Sequence, residues 1–319
     1  MKKSSSLHHN ALSVAGIIIT MGIVFGDIGT SPLYVMKAIL SGARGTIETD
    51  FILGAISCII WTLTLQTTVK YVLITLRADN KGEGGIMALY ALVRKRKKWL
   101  FALAIVGGST LLADGIITPS ITIVSAVEGL QLQFPEIQVL PIALVIVASL
   151  FLVQQFGTSA IGKSFGPIMM VWFGMLAILG FVQLVQMPVV LKSFNPYYAA
   201  HLLYHYPHGF LLLGAVFLCT TGAEALYSDL GHCGINNIRA SWIFVKVSLI
   251  LNYLGQGAWI LMQHKPGVDL ANPFFAIMPA GFQLFGVLIA TAAAVIASQA
   301  LISGSYTIIS EAIQLNFWP

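Results

Sequence analysis

Apolar residues run along this chain in blocks of roughly 20, the length that carries a helix rising 1.5 Å per residue across about 30 Å of hydrocarbon. Eight blocks are predicted as membrane spans: Ala11 to Leu40, Phe51 to Leu76, Leu100 to Val127, Val139 to Phe156, Phe165 to Gln186, Gly209 to Tyr227, Ser241 to Met262 and Phe282 to Ala312. No segment is left over for a soluble domain. Polar residues interrupt three of the blocks in a way a plain span does not need. Asp27, Asp114 and Glu224 lie deep within apolar runs, beside glycine, proline or hydroxyl residues. A carboxylate at that depth costs several kcal/mol unless something cationic answers it, so the three predict an ion or substrate pathway.

Composition agrees: 57% of residues are hydrophobic, only 9% are charged, and the mean hydropathy is +0.86. So few charges cannot cover the surface of a water-soluble domain. The first block has no small-residue cleavage site after it and reads as a retained span rather than a signal peptide. Basic residues set the expected direction. Lys2, Lys3, Arg77, Lys81, Arg94 to Lys98, Lys163 and Arg239 fall on one side, and Lys37, Arg44, Lys192 and Lys265 on the other. The heavier side is read as cytoplasmic, with the amino terminus inside the cell's inner membrane. The net charge of +5 is then a topology signal. The Arg94 to Lys98 cluster sits at a membrane edge, where anionic lipid is its expected partner, and nucleic acid is excluded because no soluble fold carries the cluster. Cys58, Cys219 and Cys233 have no metal-ligand spacing and read as small packing residues.

The first block contains Gly22-Ile-Val-Phe-Gly26-Asp27-Ile-Gly29-Thr30-Ser31-Pro32-Leu-Tyr34. Glycines and a proline here predict an unwound helix whose freed carbonyls, with a carboxylate and two hydroxyls, form a hard oxygen site for a monovalent cation. The sixth block has a comparable interruption, Cys219-Thr-Thr-Gly222-Ala-Glu224-Ala-Leu-Tyr227. Interrupted spans in corresponding positions point to an inverted-repeat transporter with its site between the repeats. In the third block Asp114, Thr118 and Thr122 recur at four-residue spacing and share one helix face. About 14 residues at 1.5 Å each place Asp114 roughly 21 Å along its span, near the midplane.

Several longer motifs carry a resemblance. Phe25-Gly-Asp-Ile-Gly-Thr-Ser-Pro-Leu-Tyr34, Arg77-Ala-Asp-Asn-Lys-Gly-Glu-Gly-Gly85, Ile117-Thr-Pro119, Ser125-Ala-Val-Glu-Gly129 and Gly222-Ala-Glu-Ala-Leu-Tyr-Ser-Asp-Leu-Gly-His232 resemble those of the Kup-type potassium uptake permeases, the KUP/HAK/KT family. Asn252 to Gly257 and Ala297 to Gly304 extend the similarity over nearly the whole chain. The resemblance implies an all-α polytopic membrane protein with a LeuT-like inverted-repeat bundle, and secondary active potassium uptake, as K+/H+ symport by alternating access, with no cofactor. Carried over residue by residue, it implies potassium ligands at Asp27, Tyr34, Asp114, Thr118, Thr122 and Thr221, with Asp114 and Glu224 on the proton-coupling or permeation route. Family members have about ten core spans and two more, so the second repeat is expected to be incomplete here. The implied organisation is a cytoplasmic terminus over 1–10, a first five-helix repeat over 11–190 with a cytoplasmic loop at 77–99, an external loop at 191–208, and three helices of the second repeat over 209–319. Potassium, protons and membrane lipid are the expected partners, and a homodimer stays open.

The same residues bear on other functional classes. Proton coupling needs a carboxylate that exchanges its proton near neutral pH, for which Asp114 and Glu224 are the candidates, while Asp27 is suited to stay ionised as a ligand. An amino-acid transporter of the same superfamily is disfavoured by Asp27, which repels a substrate carboxylate. A potassium-selective channel usually builds its filter from re-entrant loops, and none is legible. An intramembrane protease dyad would leave the hydroxyl-rich surroundings without a role. Gly82-Glu83-Gly84-Gly85 lacks the lysine and hydroxyl of a phosphate loop and reads as an interfacial turn leading into a helix. His201, His205 and His208, amid Tyr197, Tyr198, Tyr204 and Tyr206, read as an aromatic and histidine belt at the headgroups.

Overall fold

The computed structural model describes residues 12–43, 47–80, 82–93, 99–154, 159–263 and 272–314. The terminus over 1–10, expected to be cytoplasmic, and the cluster Arg94 to Lys98, expected to meet anionic lipid, lie outside the described residues. Among those described, regular structure is helical, apart from one isolated bridge between Asn80 and Glu83. In chain order the helices are α1 (Val14–Ile23), α2 (Gly26–Thr30), α3 (Val35–Gly42), α4 (Thr49–Thr62), α5 (Gly85–Val93), α6 (Leu100–Glu128), α7 (Val139–Gln154) and α8 (Ser159–Gln186). They continue as α9 (Pro196–His205), α10 (Gly209–Phe217), α11 (Ala225–Ser228), α12 (Leu230–Cys233), α13 (Ile235–Gln263), α14 (Pro273–Ala276) and α15 (Gln283–Gln314).

Six of the predicted blocks form helices long and apolar enough to cross a membrane: Thr49–Arg77, Leu100–Leu132, Ser164–Gln186, Gly209–Ser228, Ile235–Gln263 and Ala280–Ser310. The first block makes a seventh crossing only if its two halves are taken as one span, because α1 and the Gly26–Leu33 segment meet at 70°. The fourth is the shorter apolar helix Val139–Leu152, and its expected end at Phe156 lies outside the described residues. The chain is a multi-pass membrane protein.

Apolar residues on α6, α7 and α8, such as Val106, Ile116, Leu144, Val145, Ile178 and Val185, stay exposed, as lipid-facing surfaces should. The interior is filled by large side chains, among them Phe25, Ile28, Leu33, Trp172, Phe173, Tyr253 and Phe274. α13 lies along α8, and α15 lies along α6 while also covering α2. The α8–α13 contact depends on two glycines: a Cβ on Gly180 would stand 2.2 Å from the Leu251 carbonyl, and one on Gly255 would stand 2.4 Å from the Gly180 Cα. Small residues let helix backbones approach where lipid offers no hydrophobic drive.

The two interruptions differ. In the first span Phe25 leaves helical geometry, α2 lasts five residues, Ser31–Leu33 tightens to a 3-10 turn, and only at Val35 does a new helix begin. Pro32 accounts for much of this, since it brings no N–H to the ladder. The sixth span has no proline. It passes through a 3-10 turn at Leu218–Thr220 and a positive φ of 79° at Gly222, then resumes with Tyr227 N–H donating to the Glu224 carbonyl. The run from Gly209 to Ser228 therefore continues as one span, loosened rather than sharply bent.

Candidate functional site

The short α2 carries Asp27, the middle of α6 carries Asp114, and the loosened turn before α11 carries Glu224. These elements are far apart in sequence, yet one carboxylate oxygen from each lies within 4.8 Å of the others. Asp27 is 3% exposed, and neither of its carboxylate oxygens has a hydrogen-bond partner. Asp114 accepts a 2.6 Å bond from the Thr118 hydroxyl through Oδ1, while its Oδ2 is buried without a partner. The four-residue spacing of the α6 stripe thus does what the sequence predicts: it puts a hydroxyl beneath the carboxylate. Thr122, one turn further, keeps a buried Oγ1 with no partner.

On the side of the cluster towards α3, the Tyr34 hydroxyl lies 3.1 Å from the Thr221 Oγ1, and the Thr221 hydroxyl also bonds the Leu218 carbonyl at 2.9 Å. All seven residues singled out from the sequence therefore lie on elements that converge around the two interruptions. Gly222 makes the approach of the sixth span to the first workable. A Cβ there would fall 2.6 Å from the Asp27 Cβ, and its positive φ is one that side chains avoid.

One expectation is corrected in part. Five carbonyls past the first break, those of Asp27, Ile28, Gly29, Pro32 and Leu33, are not left free, because protein donors take them. Thr30 Oγ1 bonds the Asp27 carbonyl and Ser31 Oγ the Ile28 carbonyl, at 2.9 and 2.8 Å. The Trp172 indole N–H donates to the Gly29 carbonyl at 2.9 Å, Gln256 Nε2 to Pro32 at 3.0 Å and Asn272 Nδ2 to Leu33 at 2.9 Å. Burial explains this outcome, since an unpaired main-chain oxygen in a dry interior costs about 1–3 kcal/mol. The sequence held no signal for the last three donors, which come from α8, α13 and the residue before α14.

A cavity of about 490 Å³ leads from Asp27 and Glu224 towards the loop after the second span. Ile19, Ile23 and Val24 line it from the first span, Gln299 and Ser303 from α15, and Glu83, Ser228, Asp229 and His232 lie along its polar wall. Gly82-Glu83-Gly84-Gly85 is thus more than an interfacial turn. Asn80 and Glu83 exchange backbone bonds of 2.9 and 3.1 Å, α5 starts at Gly85, and the Tyr227 hydroxyl ties the Ala78 carbonyl to the sixth span at 2.5 Å.

Elsewhere, Glu128 pairs with Lys37 at 2.7 Å across α3 and α6. His201 and His205 stack at 4.5 Å on α9 with Tyr197 beside them, in keeping with an aromatic and histidine belt. The three cysteines are buried and free.

Residues 14–319 match the family model described as K+ potassium transporter integral membrane domain. The chain belongs to this family of potassium transporters. A relative from Flavobacterium johnsoniae named "Probable potassium transport system protein Kup" is 59% identical over all of this chain and 50% of its own length. Proteins with the same name from Cytophaga hutchinsonii and Clostridium perfringens are 61% and 56% identical, over 98% and 97% of this chain and 48% and 49% of theirs. The chain spans about half the length of the curated relatives it matches. No solved structure matches it. Members of the K+ potassium transporter family are carriers of an ion rather than enzymes, which sets aside the protease dyad.

Proposed function

We propose that this chain takes part in secondary active potassium uptake across the cytoplasmic membrane, as K+/H+ symport by alternating access. The observation that carries the reading is the meeting of three carboxylates within 4.8 Å, deep in the bundle and, among the described residues, joined to no basic side chain. Two ionised carboxylates at that distance repel by about 3 kcal/mol at an effective dielectric near 20. A cluster under that strain gains by admitting a monovalent cation, a proton, or one of each, and such a group titrates as a unit. Asp27, Asp114 and the hydroxyls of Tyr34, Thr118, Thr122 and Thr221 are the potassium ligands in this reading. Glu224, which faces both the cluster and the cavity, shares the proton with Asp114.

The family match and the names of the relatives support potassium as the cargo. A carrier suits the geometry better than a channel, since the 490 Å³ cavity ends at the acids and neither Tyr34 nor Thr221 lines it. The LeuT-like reading, with 11–190 as the first repeat and 209–319 as part of the second, rests on the paired interruptions. An N-terminus inside the cell places the cavity mouth on the cytoplasmic side.

The test is potassium uptake in a potassium-auxotrophic host under an imposed pH gradient, with this chain alone and with the chain extended to the length of its relatives. Uptake that rises with inward proton drive, and is abolished by Asp27→Asn and by Asp114→Asn, is expected. Near-normal uptake in either variant removes that residue from the site, and flux indifferent to the pH gradient removes the symport.

A further inference from the structure

The donors that occupy the broken span's carbonyls form a pattern of their own. Gly29, Pro32 and Leu33 are consecutive turning points of the interruption, and each carbonyl is held by a side chain from a different part of the bundle. Trp172 and Gln256 are fully buried. Each donor is itself fixed. The Trp172 ring packs on Phe274 at 5.6 Å, and Gln256 Nε2 also bonds Asn252 Oδ1 at 2.8 Å, while Asn252 is tied to the Leu176 carbonyl at 3.1 Å. Asn272 turns its Oδ1 to the Phe274 N–H at 3.1 Å, capping α14 with one end of its amide and the break with the other.

Fixed donors of this kind decide which oxygens are available at the interruption. An amide oxygen with a rigid donor stays where the donor puts it, whereas one without turns to the nearest positive charge. With these three carbonyls taken, the buried side-chain oxygens on α2 and α6 that lack a partner are both of Asp27, the Asp114 Oδ2 and the Thr122 Oγ1.

We propose that Trp172, Gln256 and Asn272 are positioning residues for cation selection: by holding the Gly29, Pro32 and Leu33 carbonyls they keep these three backbone oxygens out of the coordination shell. The inference rests on the ion-binding reading of the carboxylate cluster. Losing one donor frees a carbonyl that joins the shell, alters its size and number of ligands, and shifts the choice between potassium and the smaller sodium ion.

The experiment measures the KM for potassium, the Vmax per folded carrier and inhibition by sodium for Trp172→Phe, Gln256→Met and Asn272→Asp. Gln256→Met and Asn272→Asp remove the donor and nearly keep the shape, Trp172→Phe removes it with a smaller ring, and Asn272→Asp also keeps the cap on α14. Thermal unfolding of each purified variant reports on the scaffold separately. The expected result is a KM raised about tenfold and new sodium inhibition, with Vmax per folded carrier within about twofold of the parent. Variants that unfold earlier or accumulate less, but keep the parental KM and sodium indifference, overturn the proposal by showing a scaffold role only. Should one variant not fold, the other two, from different elements, decide the matter. Asp27→Asn is the internal control. If it binds potassium as the parent does, the cluster reading has failed. If it abolishes binding while the donor variants keep the parental KM, the positioning inference alone has failed.

Discussion

At the scale of single residues, this protein spends its polar atoms unevenly. Five backbone oxygens past the first break receive side-chain donors, while the costliest group, the Asp27 carboxylate, receives none. An uncompensated buried charge costs several kcal/mol, so an ionised Asp27 held by the surrounding packing works against stability. Gly222 shows how closely that packing is drawn. An alanine methyl there meets the Asp27 Cβ at 2.6 Å and Oδ2 at 2.7 Å, and the φ of 79° adds about 1 kcal/mol of backbone strain. Gly222→Ala is therefore expected to push Asp27 out of register with Asp114 and Glu224. In flux measurements the potassium KM should rise by tenfold or more. An unchanged KM would mean that the sixth span can retreat without disturbing the acids.

Elements bring those residues together, and the glycine seam between α8 and α13 draws close the two helices that send donors to the first break. Trp172 and Gln256, two of the carbonyl donors, stand on these two helices. Gly180→Val puts atoms into the Leu251 carbonyl, which a Cβ alone would approach to 2.2 Å, so α8 and α13 must separate. Overpacking of this sort costs about 1–3 kcal/mol. The expected outcome is a lower thermal midpoint together with weaker potassium binding, since both donors move; a lower midpoint with parental binding would uncouple the seam from the site. Much at this scale was legible in the sequence. Runs of apolar residues announced the spans, the Gly22 to Pro32 stretch announced the first break, and four-residue spacing placed Asp114 over Thr118. The sixth interruption is gentler than the comparison with the first predicts, because glycine permits a bend that proline imposes. Long-range donors such as Trp172 and Asn272 were illegible in principle: their partners are main-chain atoms 143 and 239 positions away, and no residue pattern records a carbonyl. The twelve-residue π-helix at Leu63–Ile74 was equally silent, since its apolar spacing passes for that of an ordinary helix.

At the scale of the whole molecule, the cavity is the route by which the acid cluster communicates with one face, and its mouth carries a group that responds to pH. Asp229 lies between the sixth span and α12, outside both neighbouring spans, and shares the cavity wall with Glu83 and His232. Burial pushes its carboxyl from the ordinary 3.8 up to about 6, against a smaller opposing pull from His232. The folded state therefore binds this proton more tightly than the unfolded chain does. Its contribution to stability is fully present below about pH 4, and is lost as the pH rises to about 6, where the folded carboxyl ionises too. Asp229→Asn has no proton to lose, so it should flatten this part of the stability profile and leave the variant more resistant to heat than the parent above pH 6. Thermal unfolding in detergent across pH 4 to 8 reads the difference directly. The two profiles should run parallel above pH 6 and converge towards acid. Curves parallel over the whole range would show that Asp229 exchanges its proton freely with water, and that the cavity mouth is wetter than its lining implies.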